Sequence, residues 1–148
     1  MNYFYNRGLD ELRDWTTASY VWLLATDDYI PNVDHDYIYD VVWGATPVNA
    51  EITVASYDRV TPTGQTRTIN DTTNQILYSC DDPDFGNLEA TQSARWLILA
   101  KLEDSPTPVD SASPLVAAFD LGAEVLLGNN FIVYLDPLGF AATRQVSP

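Results

Sequence analysis

Residues 93–103, SARWLILAKLE, are the stretch on which the fold turns. Their apolar run, Trp96-Leu97-Ile98-Leu99-Ala100, has no period of its own, and such a run suits a buried strand as well as a helix. Its length, and its place between segments that read as strands, decide for a strand. Upstream, residues 81–87 (DDPDFGN) form a polar break. Before that break, residues 65–69 and 75–79 flank the turn Asn70-Asp71-Thr72-Thr73-Asn74 and make a hairpin. Residues 51–60 (EITVASYDRV) alternate Ile52, Val54 and Ser56 with Thr53, Ala55 and Tyr57, the two-residue period of a strand. Residues 19–26 (SYVWLLAT) are aromatic and β-branched enough for another buried strand, stopped by the turn chemistry of Asp27, Asp28 and Pro31.

Downstream, residues 104–114 (DSPTPVDSASP) carry three prolines and three serines and must be a surface loop. Residues 115–121, 131–136 and 139–146 read as strands, the last two joined by the tight turn Asp136-Pro137-Leu138-Gly139. Helix is confined to the N-terminal third. Residues 7–15 (RGLDELRDW) place Leu9 and Leu12 three apart, enough for one short amphipathic helix, and residues 34–42 read as a helical turn begun by an Asp cap. Ahead of them Tyr3, Phe4 and Tyr5 form an aromatic arm able to pack on its own domain or on a neighbour. About seven or eight short strands, spaced near ten residues apart, predict an all-β fold: an antiparallel β-sandwich or barrel-like domain with one short N-terminal helix. A chain of 148 residues is the size of one domain, with residues 1–15 as arm and helix and 19–146 as the β core.

Charge narrows the partners. Twenty-one acids stand against seven bases, a formal net charge of −14, and the six Arg residues are dispersed along the chain. Nucleic acid needs a basic stripe that releases counterions from phosphates, and an anionic membrane needs the same sign of surface, so neither fits. The excess keeps the chain soluble and favours a basic partner or a cation. The N-terminal residues lack the basic start and apolar run of a secretory signal, and no stretch approaches the roughly 18 apolar residues of a membrane span. Cys80 stands alone, which excludes an intrachain disulfide and a thiolate metal cluster, and its acidic neighbours argue against a reactive thiolate. It reads as a small core residue.

Tests for chemistry return little. A hydrolytic triad would have to use His35, the one histidine, in Asp34-His35-Asp36, and no GxSxG elbow accompanies it. The plainer reading is an imidazole between two carboxylates, a local pH-sensitive contact. With so many acids, any carboxylate pair for glycoside hydrolysis can be proposed, and none stands out. No glycine loop for phosphate exists, and the triplet Asn70-Asp71-Thr72 has no secretory context. No cofactor is implied. Calcium is the one metal candidate, through Asp27, Asp28, Asp34 and Asp36, with Asp81, Asp82 and Asp84 as a second acidic cluster. An EF-hand fails, because counting from Asp82 puts Gly86 at the fifth place and Ser93 at the twelfth; turn-forming and capping aspartates explain the same residues. The four tryptophans (Trp15, Trp22, Trp43, Trp96) and nine tyrosines fit either an aromatic core or interface anchors. Tyr3, Phe4, Tyr5, Tyr37, Tyr39 and Trp43 are the interface candidates.

The chain resembles a group of small tailed-phage virion proteins. The resemblance is carried by Tyr29-Ile30-Pro31 followed by Asp34-His35-Asp36-Tyr37, by Tyr57-Asp58-Arg59 after Glu51, and by Asn70-Asp71-Thr72-Thr73-Asn74 in the hairpin. The strand around Trp96, Ser113-Pro114-Leu115-Val116-Ala117 leading into Asp120-Leu121, and the closing Asn130-Phe131-Ile132-Val133 with Gly139 complete it. The likeness runs over most of the chain in short motifs and departs at residues 93–103 and at the insertion-like loop 43–49. It implies a capsid-associated structural protein without catalytic residues: a homo-oligomer assembled in the bacterial host cytoplasm and decorating the outer head through contacts with the major capsid protein or other virion proteins. A tail or head-tail component, including a receptor- or glycan-binding module in which Trp43, Tyr37 and Tyr39 stack on sugars, is the alternative, and a small hydrolase using His35 is the third.

Overall fold

A computed structural model describes residues 2–42, 49–73, 75–136, 139 and 141–144. Among them the strands are β1 (Tyr3–Phe4), β2 (Tyr20–Ala25), β3 (Thr66–Asn70), β4 (Gln75–Ser79), β5 (Ser93–Lys101), β6 (Leu115–Leu126) and β7 (Ala141–Arg144). Two helices of one turn each, α1 (Gly8–Glu11) and α2 (Tyr39–Val42), complete the pattern with two short 3-10 turns. The strands form two antiparallel sheets, a four-stranded one in the order β1-β6-β5-β2 and a three-stranded one in the order β3-β4-β7. The fold is all-β and sandwich-like.

The SARWLILAKLE stretch is the central strand of the larger sheet, and its continuous apolar run has a physical cause. On one face Trp22, Leu24, Leu97, Leu99, Ala117 and Phe119 pack towards Tyr78 and Ile76 of the smaller sheet and Phe85, Leu88 and Leu127 of the loops. On the other, Val21, Leu23, Ala25, Trp96, Ile98, Ala100 and Ala118 are covered by Tyr5, Tyr29, Ile38, Val41, Val42 and Ala50. A sheet dry on both faces has no polar side to its strands, so the two-residue period disappears. Leu97, Ile98 and Leu99 are completely inaccessible, and burying each side chain stabilises by roughly 2 kcal/mol.

The aromatic arm belongs to this sheet. β1 pairs with β6 (Tyr3 opposite Ala118, Phe4 opposite Ala117), the Tyr5 amide donates to the Val116 carbonyl, and Gly8 then presses on Val116 so closely that a Cβ would lie 2.0 Å from its carbonyl oxygen.

Four expectations need correction. Residues 51–60 are not a strand: they meet the edge of β2 only at Ala25–Glu51 and Trp22–Val60. The Leu24 amide, which a paired strand would have bonded, donates instead to the Tyr57 hydroxyl at 3.0 Å. Residues 131–136 are likewise not a strand but follow the loop 82–87, with a single bridge between Asp84 and Ile132. Val133 donates to the carbonyl of Pro83, which has no N–H to return, so no ladder builds there. β6 runs to Leu126 and not to Leu121, because Gly122 at φ +84° takes up a bulge and the strand resumes with Val125 and Leu126 opposite Ala94 and Ser93. The turn at 34–42 is organised by Asp40, inside α2, whose Oδ2 accepts from the amides of Asp36 and Tyr37; neither Asp34 nor Asp36 is its cap.

Candidate functional site

The structure redistributes the residues singled out in the sequence. Tyr3 and Phe4 set their rings edge-on to Trp96 and Phe119, at centroid distances of 5.7 and 6.3 Å, and Tyr5 is buried. The arm therefore docks on its own domain, with Tyr5 buried and Tyr3 and Phe4 left half-buried. Tyr37 accepts a bond from Arg7 Nη1 at 3.0 Å and carries that guanidinium over its ring; Tyr39 stays exposed, and Trp43 lies outside the described residues. The Tyr37 bond leads the effects that raise the Arg7 pKa above its ordinary value, with Glu11 and Asp36 adding to it. Trp15, Trp22 and Trp96 are core residues.

The calcium candidates have separate engagements. Asp28 bonds the Thr26 hydroxyl, Asp34 accepts from Asn6 Nδ2 at 2.9 Å, Asp36 faces Arg7, and Asp27 stands beside the Glu124 carboxyl. Among the described residues no group of three or more His, Cys, Asp or Glu side chains is arranged to hold a metal ion. His35 is not clamped by its flanking carboxylates: its Nδ1 lies 3.0 Å from the Tyr29 hydroxyl, which in turn lies 2.6 Å from that of Tyr5. Burial holds both phenols well above their ordinary range; their mutual bond raises Tyr5 further and opposes the rise at Tyr29, and Asp40 adds to both.

Two ionic knots tie loops to the sandwich. Arg59 binds Glu51 through Nε and Nη2, each at 2.6 Å, and Asp110 through Nη1 at 2.6 Å and Nη2 at 3.0 Å, while the Tyr57 hydroxyl donates to Glu51. The Glu51 bond is the main reason the guanidinium is held protonated beyond its usual range, against the opposing effect of burial. Lys101 bridges Glu11 and Asp14 at 3.1 Å each; burial would lower its ammonium pKa, and the two carboxylates reverse that. Cys80 is half-buried beside Trp22. Burial pushes its thiol up to about 12, Asp81 and Asp82 add to the shift, and the Trp22 indole opposes it.

What sequence reasoning missed is the far end of β6. Between the pairs Trp96–Asp120 and Ala94–Val125, β5 contributes only Arg95 while residues 121–124 of β6 bulge outward. Beyond the bulge Val125 (39%), Leu126 (62%) and Tyr134 (80%) are exposed, and a groove of about 450 Å³ runs among Leu121, Val125, Leu126, Phe131, Ile132 and Tyr134. Leu9, Ile30, Ile69 and Val109 are exposed too, but single exposed apolar side chains are normal, whereas several sharing one groove are not. The Glu124 carboxyl, beside Asp27 and facing Asp28, is held above the ordinary carboxylate range, and Arg95, the nearby base, is paired with Asp120 at 2.9 Å. Only the pair Leu126-Leu127 before Gly128-Asn129-Asn130 signalled this end in the sequence, and it is ambiguous, since Leu127 is buried and Leu126 is not.

Fold and surface together define the class: an acidic, sandwich-like all-β domain with an exposed apolar groove beside the end of β6. Comparison with protein-family models, with curated proteins and with solved structures returned no match.

Proposed function

We propose that the chain is a structural protein of a tailed-phage particle, decorating or stabilising the outer capsid through protein–protein contacts and assembled in the host cytoplasm. The observation that carries this reading is the exposed groove of Leu126 and Tyr134 on an otherwise acidic surface. Large exposed apolar side chains gathered in one place mark contact sites, and strong like charge keeps free subunits apart until a complementary lattice orders them. The short virion-type motifs from Tyr29 to Gly139 support it. The core buries the larger sheet on both faces, which suits a rigid exterior component.

A tail-tip, glycan-binding role is the second reading, favoured by the Tyr134 ring standing 80% exposed in a groove shared with Asn129 and Asn130, an aromatic face beside amides of the kind that holds a sugar. The test is co-sedimentation of the purified chain with particles of the phage that encodes it, followed by antibody labelling of intact virions. Binding with label over the head is expected. Label only at the tail tip transfers the case to adhesion, and absence from virions together with failure to co-sediment refutes both.

A further inference from the structure

We infer that the free edge of β3 is a self-association surface, and that its occupant is β3 of a second copy, paired antiparallel across a two-fold axis centred on Ile69. The contact goes beyond the capsid reading and does not rest on it. β3 ends the smaller sheet: one edge bonds β4, and among the described residues no backbone hydrogen bond reaches the other. An edge strand turns the amides and carbonyls of alternate residues outwards, a template for a further strand. Directly opposed residues of an antiparallel pair share a face, so Arg67 and Ile69 point the same way as Tyr78 and Ile76 of β4, which pack on the core. Both nevertheless stay exposed, Ile69 at 52%, so the core that covers β4 does not extend over β3.

Charge selects the occupant and the register. The strand residues of the smaller sheet, 66–70, 75–79 and 141–144, contain no Asp or Glu in a chain with 21 acids. Two chains of net charge −14 can meet there without setting carboxylate against carboxylate. Among the described residues Arg67 joins none of the ion pairs, and neither does Asp71, the exposed first residue of the turn. A two-fold axis at Ile69 sets Arg67 of each copy opposite Asp71 of the other, Thr68 opposite Asn70, and Ile69 opposite itself. Two ion pairs then flank an apolar centre, and one six-stranded sheet runs through both copies. An axis one residue earlier, at Thr68, would set Arg67 opposite Ile69 and leave both charges without partners.

The remaining surface opposes the contact at long range, so association of the free chain strengthens as salt rises. At about 0.3 M the Debye length is about 5 to 6 Å, which screens separated charges more than directly opposed ones. Sedimentation equilibrium of the full chain over a salt series measures the association, and hydrogen exchange locates it. Dimers favoured by salt are expected, with the amides of residues 66–70 gaining protection as concentration rises. Arg67→Asp and Asp71→Arg each set like charges opposite one another twice, and each should weaken dimerisation roughly tenfold. The two together exchange the charges and should restore it. Asp71→Arg is diagnostic on its own, because it makes the chain less negative: net charge alone predicts stronger association. Circular dichroism checks that all three variants fold, as their exposed positions require. Four results overturn the inference: a chain that stays monomeric at every salt concentration, protection confined to residues outside β3, single variants that dimerise like the wild type, or a double variant no better than the single ones. Co-sedimentation with particles decides the capsid reading separately, whichever way this contact falls.

Discussion

Replacing Arg59 by alanine removes the knot that holds residues 51–60 over the edge of β2. Four hydrogen bonds of 2.6 to 3.0 Å are lost, and Glu51, only 9% exposed, keeps a single side-chain donor, the Tyr57 hydroxyl. Breaking a buried ion pair by removing one partner costs about 3 to 5 kcal/mol, because the other charge stays buried without compensation. The Arg59 side chain is 26% exposed and that of Asp110 33%, so the expected loss is at the lower end, about 3 kcal/mol. For a domain of this size that lowers Tm by roughly 6 to 12 °C. Asp110→Asn, on the wetter side of the knot, should cost only about 0.5 to 1 kcal/mol. The decisive variant is Glu51→Gln added to Arg59→Ala. A neutral amide still accepts from Tyr57 and removes the buried charge, so the double variant should recover about 1 kcal/mol or more, a coupling well outside additivity. Urea and thermal unfolding followed by tryptophan fluorescence measure all four proteins. An Arg59→Ala loss under about 1 kcal/mol, or a double variant no better than the single one, would refute the claim that the knot compensates a buried carboxylate.

Gly8→Ala should destabilise by about 3 kcal/mol or more, since its Cβ would lie 2.0 Å from the Val116 carbonyl oxygen, while Gly128→Ala, with nothing within 4 Å, should be neutral or slightly stabilising; paired denaturation curves compare them. The phenols of Tyr5, Tyr20, Tyr29 and Tyr57 are all held above their ordinary range, by burial first in each case. A pKa raised on folding contributes stability that is complete below the unfolded phenol value near 10 and lost as pH climbs above it. Absorbance at 295 nm should therefore show these four ionising only together with alkaline unfolding, and smooth independent titration near pH 10 would contradict the packing. The Cys80 thiol, pushed up to about 12 by burial, should react with an aromatic disulfide at pH 8 at least ~100-fold more slowly than in the unfolded chain, as a thiolate-dependent rate requires. Glu124→Gln should raise Tm at pH 7 and leave it unchanged at pH 3, because a carboxyl raised on folding favours the folded state only where it is protonated.

The large elements were legible in the sequence where one physical cause dominated. Residues 20–25 and 93–101 are rich enough in buried apolar side chains to be strands whatever surrounds them, and the turn after Asn70, whose Oδ1 accepts from the amides of Thr72 and Thr73, fixes the hairpin of β3 and β4. Residues 51–60 misled because alternation reports which side chains face inwards, not what bonds the backbone. Ile52 and Val54 do point inwards, but Tyr57, which the alternation sets on the opposite face, packs on the same core and its hydroxyl takes the ladder's place. The same limit hid the arm: Tyr3 to Tyr5 are the residue types of an interface, and only topology shows that β6 is the partner that receives them. The groove at Leu126 was illegible for a further reason. Its members come from residues 121–126 and 131–134, and the bulge that exposes them depends on the register of β6 against β5.

The distribution of bases gives the net charge its meaning. Arg7, Arg59, Arg95 and Lys101, four of the seven bases in the chain, are engaged with Glu11, Glu51, Asp110, Asp120 and Asp14 in contacts of 2.6 to 3.6 Å. Arg59 and Lys101 hold loops to the sandwich, Arg95 pairs with Asp120 across β5 and β6, and Arg7 pairs with Glu11 one helical turn on, so each of these cations already has a carboxylate. What faces outward at the β6 end is apolar: Val125, Leu126 and Tyr134 share one groove. A chain of net charge −14 is repelled by its own copies and attracts cations at a range of about 8 to 10 Å at ordinary ionic strength, beyond which salt screens it. If the proposed capsid contact holds, steering by net charge and anchoring by Leu126 and Tyr134 are separable: charge substitutions at Glu124 should act on the rate of association, and substitutions at Leu126 on the rate of release.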